Sequence, residues 1–188
     1  PTIPTEIICV LLYSIMHNYA STPGIAGKAL LARPDVADPN FERAVVYILA
    51  HSPAGAMGIV LNRPTEVDAS DLVSPLAEWI SITPKPRVLF SGGPVETDGI
   101  IGIVADAQNQ DTGVSSIDLS LGVDEEHSGS VRMFRGYSGW APGQLDNELL
   151  RNGWFVVDSS VNDVFDQEPA TLWRRISARQ VDEQRSLA

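Results

Sequence analysis

The sequence is poor in the residues that build disulfides and metal sites: it has one cysteine and three histidines in 188 residues. A single thiol, Cys9, excludes an intrachain disulfide and a cysteine-based zinc cage, and it favours a reducing cytoplasm as the compartment. The histidines do not show the i, i+4 spacing with which a helix presents two metal ligands. We therefore expect no metal and no other cofactor, and we interpret Cys9 as a core or docking residue.

Cations are also scarce. Lys and Arg number 13 against 24 Asp and Glu, which gives a formal net charge of −11. Such a surface repels a phosphate backbone on average, because nucleic-acid affinity depends on Lys and Arg that release counterions. A basic cluster near residue 180 is interleaved with acids, which is typical of a solvated helix face; its members are Arg174, Arg175, Arg179 and Arg185. Direct nucleic-acid binding is therefore disfavoured.

Long hydrophobic runs are missing as well. The stretch "IICVLLYSIM", Ile7 to Met16, falls well short of the ~20 residues that a membrane-spanning helix needs. It also lacks the basic region of a signal peptide, since no Lys or Arg precedes Lys28. Because so apolar a stretch is unfavourable in water, we expect residues 1–23 to pack on the domain or on a neighbouring subunit of a homo-oligomer. Attachment to a membrane surface is the alternative.

Length and composition are those of one ordinary globular domain, with 44% hydrophobic and 20% charged residues. Short β-like runs alternate with helical ones, and several strands follow one another without regular crossover helices. The pattern predicts the α+β class: a single compact domain with a mixed, largely antiparallel β-sheet flanked by a few helices. We place this domain at residues 24–180, after the apolar extension of 1–23 and before a polar tail at 181–188.

The individual elements follow from hydrophobic spacing and from turn residues. "AVVYILAH" is nearly continuous in apolar residues, which predicts a strand buried on both faces. The short connection "SPAGAMG" predicts that this strand forms an antiparallel hairpin with "IVLNRP". Helices are predicted between Asp68 and Ile80, over "APGQLDNELLRNG", and from Pro169 onward. The other predicted strands are "KALLAR", "RVLFSGGPV", "GIIGIVA", "SSIDLSLG", "GSVRMFRGYSGW" and "WFVVDSS".

Motifs that carry chemistry are incomplete. "SGGPV", with Gly92 and Gly93, follows a strand but opens no helix and lacks the lysine of a phosphate loop. We interpret it as a tight turn, with an anion cradle of main-chain N–H groups as the alternative. In "GYSGW" the glycines stand at the wrong spacing around Ser138 for a nucleophile elbow. The sequence therefore predicts no catalytic constellation.

Five blocks of the sequence resemble the bacterial AlgH/YqgE family, also called UPF0301 or DUF179, in their order and spacing. The blocks are "RAVVYILAH", "GAMGIVLNRP", "SGGPV", "GYSGWAPGQLDNEL" and "NGW", and the resemblance extends from about Gly24 to Ile176. It implies an α+β domain of the bacterial cytosol without established enzyme activity. Some family members are named as transcriptional regulators through alginate genetics. The apolar residues before Ser21 extend beyond the usual family start, so the resemblance assigns them no role.

The block "GYSGWAPGQLDNEL" is the centre of a predicted ligand site. Its glycines permit a tight turn from strand to helix, and Tyr137 and Trp140 offer broad aromatic faces, each with a polar atom. Amides at the helix start carry partial positive charge, and Gln144 adds a hydrogen-bonding arm. We predict that polar residues of the other blocks converge here on one pocket. The candidate set is Arg43, His51, Asn62, Arg63, Gly92, Gly93, Tyr137, Ser138, Trp140 and Gln144.

The alternative is that these residues form scaffold. In that case the aromatic side chains are core, Asn62 and Gln144 bond to loop main chain, and Arg43 pairs with an acid. Three functions stay open on the sequence alone. The leading hypothesis is a cytoplasmic, non-catalytic regulatory or binding protein that recognises a small polar or anionic ligand or a protein partner. The second is a transcriptional regulator that acts directly on DNA, against which the charge argues. The third is a hydrolase or transferase that uses His51 or Ser138.

Overall fold

The computed structural model describes residues 24–35, 38–68, 76–79, 82–120, 123 and 130–186. The strands are β1 (Ala29–Ala32), β2 (Val45–Ser52), β3 (Gly55–Val60), β4 (Pro64–Asp68), β5 (Val88–Ser91), β6 (Val95–Ala105), β7 (Val114–Ile117), β8 (Val131–Trp140) and β9 (Trp154–Val157). The helices are α1 (Leu76–Trp79), α2 (Gln144–Leu150), α3 (Val161–Val164) and α4 (Pro169–Ser186). The apolar extension of residues 1–23, and most of the helix predicted between residues 68 and 80, lie outside the described residues.

The strands form one curled mixed sheet, which confirms the predicted α+β class. The sheet order is β4-β5-β8-β3-β2-β1-β9, with β6 pairing to both β8 and β7. Every pairing is antiparallel except that of β5 with β8. Strand β8 causes the curl because its first half pairs with β5 and β6, whereas its last residues pair with β3.

The predicted hairpin is present at the centre of the sheet. Strands β2 and β3 pair from Val46 opposite Val60 to Ser52 opposite Gly55. Strand β3 begins earlier than the sequence indicates, because "GAMG" is part of the strand rather than of the loop. Small residues are needed there: a Cβ on Gly58 would lie 2.8 Å from the carbonyl oxygen of Tyr47. The glycine and alanine residues of "GAMG", which have low strand propensity, therefore belong to a crowded strand and not to a turn.

Helices cover both faces of the sheet. Alternate residues of β1 and β2 point to opposite faces. One face packs under α2 and the other under α3 and α4. The first face carries Leu30, Val46, Ile48, Trp140 and Leu145, and the second carries Leu31, Tyr47, Leu49, Val164, Leu172 and Ile176. No helix among the described residues has the length and apolar character to span a membrane.

Two elements were missed by the sequence reasoning. Strand β4 begins at Pro64, the last residue of the predicted strand "IVLNRP"; proline is tolerated at the first position of a strand because its missing N–H is not needed there. Helix α3 is a single turn, too short for a periodic pattern. It is held by a capping box in which Ser160 and Asp163 exchange side-chain and main-chain hydrogen bonds.

A charged side chain, Arg132 of β8, is fully buried in the core. Its guanidinium donates to the carbonyl oxygens of Asp166 at 2.7 Å, Lys85 at 3.0 Å and Val164 at 3.3 Å. It also lies 4.5 Å from the centroid of the Phe90 ring. Burial lowers the pKa of Arg132 to about 10, against the opposing charge of Asp166. Arg132 thus fastens the segment after α3 to the sheet through main-chain carbonyls.

Candidate functional site

The candidate residues divide between the two ends of the β2–β3 hairpin. Arg43 and Asn62 flank the end where β2 begins and β3 stops, whereas His51 lies at the other end, beside Ala56 and Trp140. The six steps from Val45 to His51 along the strand correspond to about 20 Å at ~3.3 Å per residue. A small ligand cannot contact both groups. The candidate residues therefore lie in two groups at opposite ends of the hairpin and do not surround one pocket.

At the first end, Asn62 is bonded to the main chain. Its Oδ1 accepts from the Val45 N–H at 2.9 Å, and its Nδ2 donates to the carbonyl oxygen of Arg43 at 2.8 Å. Arg43 has a φ of 50°, a left-handed conformation that needs support in a residue other than glycine. Arg63 donates from Nη2 to the carbonyl oxygen of Glu42. The two polar side chains thus hold the chain that enters β2, while the Arg43 side chain is exposed.

The glycine pair packs against β8. The Gly92 N–H donates to the carbonyl oxygen of Arg135 at 2.8 Å, and the Gly92 carbonyl accepts from Val60 N–H at 2.9 Å. A Cβ on Gly92 would lie 2.3 Å from the Gly136 oxygen, and one on Gly93 would lie 2.2 Å from the Tyr137 carbonyl carbon. These contacts explain both glycines by close approach of two main chains. The Gly92 N–H is engaged and does not face an anion.

Ser138 and Tyr137 are part of the same packed region. Ser138 is fully buried, and its hydroxyl donates to the carbonyl oxygen of Gly92 at 3.3 Å. Tyr137 stands opposite Val95 in the sheet and packs partly buried against the main core cluster. Ser138 is therefore not presented to a substrate, and the aromatic ring of Tyr137 contributes to the core.

Three side chains of the "GYSGWAPGQLDNEL" and "NGW" blocks converge on Glu148 of α2. Trp140 comes from the second end of the hairpin, whereas Trp154 stands opposite Ala32 at the first end. Its Oε2 accepts from the indole N–H of Trp140 at 2.9 Å and of Trp154 at 2.8 Å. Its Oε1 accepts from Nε2 of Gln144 at 3.0 Å, and Oε1 of Gln144 accepts from the Ala141 N–H at 3.1 Å. The two indole rings stand edge to face with centroids 6.3 Å apart.

Glu148 was not among the predicted residues. The sequence feature that could have indicated Glu148 is its position four residues after Gln144, which puts both side chains on one face of α2. A buried indole N–H also requires an acceptor, and two tryptophans flanking one short helix call for an acid on that helix. The block "GYSGWAPGQLDNEL" thus forms a structural junction that joins β8, α2 and β9.

His51 connects the hairpin to the same helix. Its Nδ1 accepts from the Ile25 N–H at 3.3 Å, and its Nε2 lies 3.4 Å from Oδ1 of Asp146. The His51 side chain is only 11% exposed. With Nδ1 accepting, Nε2 carries the proton and faces the carboxylate. Both ring nitrogens are engaged, so the arrangement orients the imidazole but provides no free proton acceptor.

A concave surface lies at the first end of the hairpin, and the sequence analysis does not predict it. Arg33, Asp35, Arg151, Asn152 and Gly153 line an open groove with a volume of about 480 Å³. It forms because the end of β1 is paired with the start of β9, Ala32 opposite Trp154. Asn152 and Gly153 belong to the "NGW" block, but no motif marks Arg33, Asp35 or Arg151, so no sequence pattern pointed to the groove.

The charges of this groove are arranged around Arg33. Its Nε lies 3.2 Å from Oδ1 of Asp35, and its guanidinium carbon lies 5.2 Å from the centroid of the Phe155 ring. A main-chain hydrogen bond and the Arg33 guanidinium lower the pKa of the exposed Asp35 carboxyl. Arg151 has no acidic partner within the described part of the chain. We call this end of the sheet, with Arg33, Arg43, Arg63 and Arg151, the arginine end.

Comparisons with known proteins agree with this fold. A UPF0301 protein of Streptomyces avermitilis is 40% identical over 182 residues, covering 89% of this chain and 93% of that protein. One of Streptomyces coelicolor is 39% identical over 179 residues, covering 88% and 91%.

Two solved structures are similar as well. The crystal structure of protein DIP2367 from Corynebacterium diphtheriae has a TM-score of 0.74 at 25% identity, covering 88% of this chain and 92% of that one. The solution structure of the AlgH protein from Pseudomonas aeruginosa has a TM-score of 0.60 at 26% identity, covering 86% and 90%. The sequence profile of the family described as AlgH-like, DUF179, matches residues 29–184. The chain belongs to this AlgH-like family.

Proposed function

We propose that this protein is a non-catalytic binding protein of the cytoplasm that recognises an anionic small ligand at the arginine end. The observation that carries the proposal is the groove of about 480 Å³ in which Arg33 and Arg151 face one acid, Asp35. Its volume lies within the ~300–1,000 Å³ usual for ligand sites. The whole chain has a net charge of −11, whereas this groove has two arginines and one acid.

The groove residues supply complementary contacts for a carboxylate or a phosphate. A guanidinium presents its N–H donors in a planar fork that matches both groups. Arg33 is held by Asp35 and by the Phe155 ring, so little side-chain freedom is lost when it binds. Arg151 supplies the charge that no described acid neutralises. Asn152, with a φ of 55°, lies beside it and adds an amide donor.

The hydrolase or transferase alternative receives no support from its two named residues. Ser138 is buried with its hydroxyl donating to a carbonyl, and both nitrogens of His51 have partners. A general base needs an accepting atom within reach of a substrate proton. These side chains therefore act in the scaffold.

Direct DNA binding by the basic helix is equally unsupported. Arg175 of α4 lies 2.6 Å from a carboxylate oxygen of Asp166, and Arg179 lies 2.9 Å from one of Asp163. Arginines that pair within the chain are not available to release counterions from a phosphate backbone. The proposal therefore keeps a binding role and assigns no nucleic-acid partner.

The proposal is tested by titrating inorganic pyrophosphate and citrate into the protein by calorimetry. We expect Arg151→Gln to raise the dissociation constant of the anion that binds at least tenfold, about 1.4 kcal/mol. Arg174→Gln, which removes an equal charge from an exposed position of α4, is the matched control and should change it less than twofold. Equal losses in both variants, or no binding of either anion at millimolar concentration, would contradict the proposal.

A further inference from the structure

Strand β9 has an uncovered edge. It stands at the end of the sheet and pairs with β1 alone among the described strands. Phe155 is 47% and Val156 41% exposed. Phe155 and Val156 are neighbours in a strand, so they stand on opposite faces of the sheet. An exposed apolar edge of this kind is suited to pairing with another strand.

The hydrogen bonds of β1 show which main-chain groups of β9 face outward. The Ala32 N–H donates to Ala44 O at 3.0 Å, and Ile48 N–H donates to Lys28 O at 2.9 Å. Even-numbered residues of β1 therefore bond to β2, and odd-numbered ones bond to β9. Because Leu31 stands opposite Phe155 and Ala29 opposite Val157, the N–H and C=O groups of Trp154, Val156 and Asp158 point away from the sheet.

The charges along this edge are asymmetric. Arg151 and Arg33 lie at the start of β9, and Asp158 follows its last residue. The Asp158 side chain pairs with Lys28 across the strands but is still 74% exposed. In an antiparallel pair related by a two-fold axis, the start of each strand lies beside the end of the other. Such an edge is complementary to itself in charge as well as in hydrogen bonds.

We propose that β9 is the interface of a homodimer in which two copies pair antiparallel about a two-fold axis at Val156. The outward groups fix the register: Val156 stands opposite Val156, and Trp154 opposite Asp158 of the second copy. Phe155 then packs across Val157 of the second copy, and the two sheets become one. This contact differs from the oligomer expected through residues 1–23. Its hydrogen bonds need no anion in the groove, but its charge pairing uses Arg33 and Arg151, which also line that groove.

The expected dimer is weak. A strand pair this short buries less than the ~1,200 Å² of a small stable interface, the size class of weak and transient contacts. Each copy carries a net charge of −11, but at physiological ionic strength charges beyond ~8 Å are largely screened. Assembly should therefore be measured over a range of concentrations at such ionic strength.

Sedimentation velocity between about 5 and 500 μM tests the interface. We expect the mass to rise with concentration from the 20.3 kDa of one chain toward twice that value. Val156→Pro removes an outward N–H that the sheet does not use, and proline is accepted at such an edge position. It should weaken the dimer at least tenfold. Leu150→Ala, which removes an exposed apolar side chain outside the edge, is the control and should leave it unchanged.

Two results would overturn the proposal. One is a wild-type protein that stays monomeric at the highest concentration. The other is a dimer that survives Val156→Pro in a protein whose circular dichroism shows an intact fold. Should Val156→Pro unfold the domain, Val156→Lys serves instead, because it places a charge on the same exposed edge without changing the main chain.

The register has its own test. In a background with Cys9→Ser, Val156→Cys puts two thiols directly opposite, with Cα atoms about 5.5 Å apart in a hydrogen-bonded pair. This distance is within the range of disulfides. Mild oxidation should cross-link this variant and not Leu150→Cys in the same background. Equal cross-linking of both variants, or none at position 156, would exclude the proposed two-fold axis.

Discussion

At the scale of single residues, one carboxylate explains the most distinctive block of the sequence. Glu148 accepts hydrogen bonds from Trp140, Trp154 and Gln144. The sequence analysis assigns Trp140 and Gln144 to a ligand site because aromatic and amide residues stand out, and it does not include Trp154. The acceptor was overlooked because an acid in a short surface helix resembles an ordinary solvated residue. The scaffold alternative, in which Gln144 bonds to loop main chain, agrees better with the structure, because Oε1 of Gln144 accepts from the Ala141 N–H.

Removal of this acceptor should destabilise the protein strongly. Glu148→Ala leaves two indole N–H groups without a partner, which costs about 3 kcal/mol of unfolding free energy. Glu148→Gln keeps one carbonyl oxygen and should cost about 1 kcal/mol. Both values can be measured by urea denaturation followed by tryptophan fluorescence. Asn147→Ala, an exposed neighbour on the same helix, should stay within about 0.5 kcal/mol; a similar loss there would contradict the role given to Glu148.

At the scale of elements, α3 and α4 are joined through Asp163. This buried carboxylate accepts from the Ser160 N–H at 2.9 Å, the Ser160 hydroxyl at 3.2 Å and Nη2 of Arg179 at 2.9 Å. Strands and longer helices were predictable because their hydrophobic pattern extends over many residues. Helix α3 was not, because its single turn is specified by capping and by tertiary partners that are 16 residues away in the chain.

Asp163 should make stability depend on pH in the acid range. Burial of the carboxyl works against ionisation, but hydrogen bonds from Arg179 and Ser160 outweigh it and hold the pKa of Asp163 below its ordinary value. Since the folded-state pKa is the lower one, the contribution is present above about pH 4 and is lost as the pH falls through the folded-state pKa.

The matching experiment compares wild type with Asp163→Asn. We expect the variant to lose about 2 kcal/mol of unfolding free energy at pH 7, and the difference to shrink as the pH falls from 4 toward 2. Thermal unfolding at a series of pH values measures it. Asp98→Asn, an exposed acid of β6, is the reference variant. A difference that stays constant down to pH 2 would show that the carboxylate charge is not the stabilising feature.

At the scale of the whole molecule, the sequence predicted the class of fold but not which polar residues the sheet brings together. Hydrophobic spacing was sufficient for the central hairpin and for the largely antiparallel sheet, because burial on two faces leaves a pattern along the chain. The relative placement of polar residues leaves no such pattern along the chain. Arg43 and His51 belong to one block, yet strand β2 holds them at opposite ends of the sheet. Arg33 and Arg151 are far apart in sequence, yet β1 and β9 bring them together.

The same argument applies to Arg132. A cation within the apolar strand β8 is compatible with an exposed strand face or with a buried charge, and the sequence contains nothing that decides between them. The decision comes from three carbonyls supplied by segments 47, 32 and 34 residues away. The proposed anion site likewise depends on which strand ends meet, because β1 and β9 together bring Arg33 and Arg151 to one groove.

Mapping of anion binding by nuclear magnetic resonance tests this claim most directly. On titration of ¹⁵N-labelled protein with the anion that binds, we predict that the largest amide shifts arise in residues 33–35 and 151–153 and that Arg151→Gln abolishes them. Shifts centred instead on Tyr137, Ser138 and Gln144 would contradict the account, because they would return the site to the junction around Glu148.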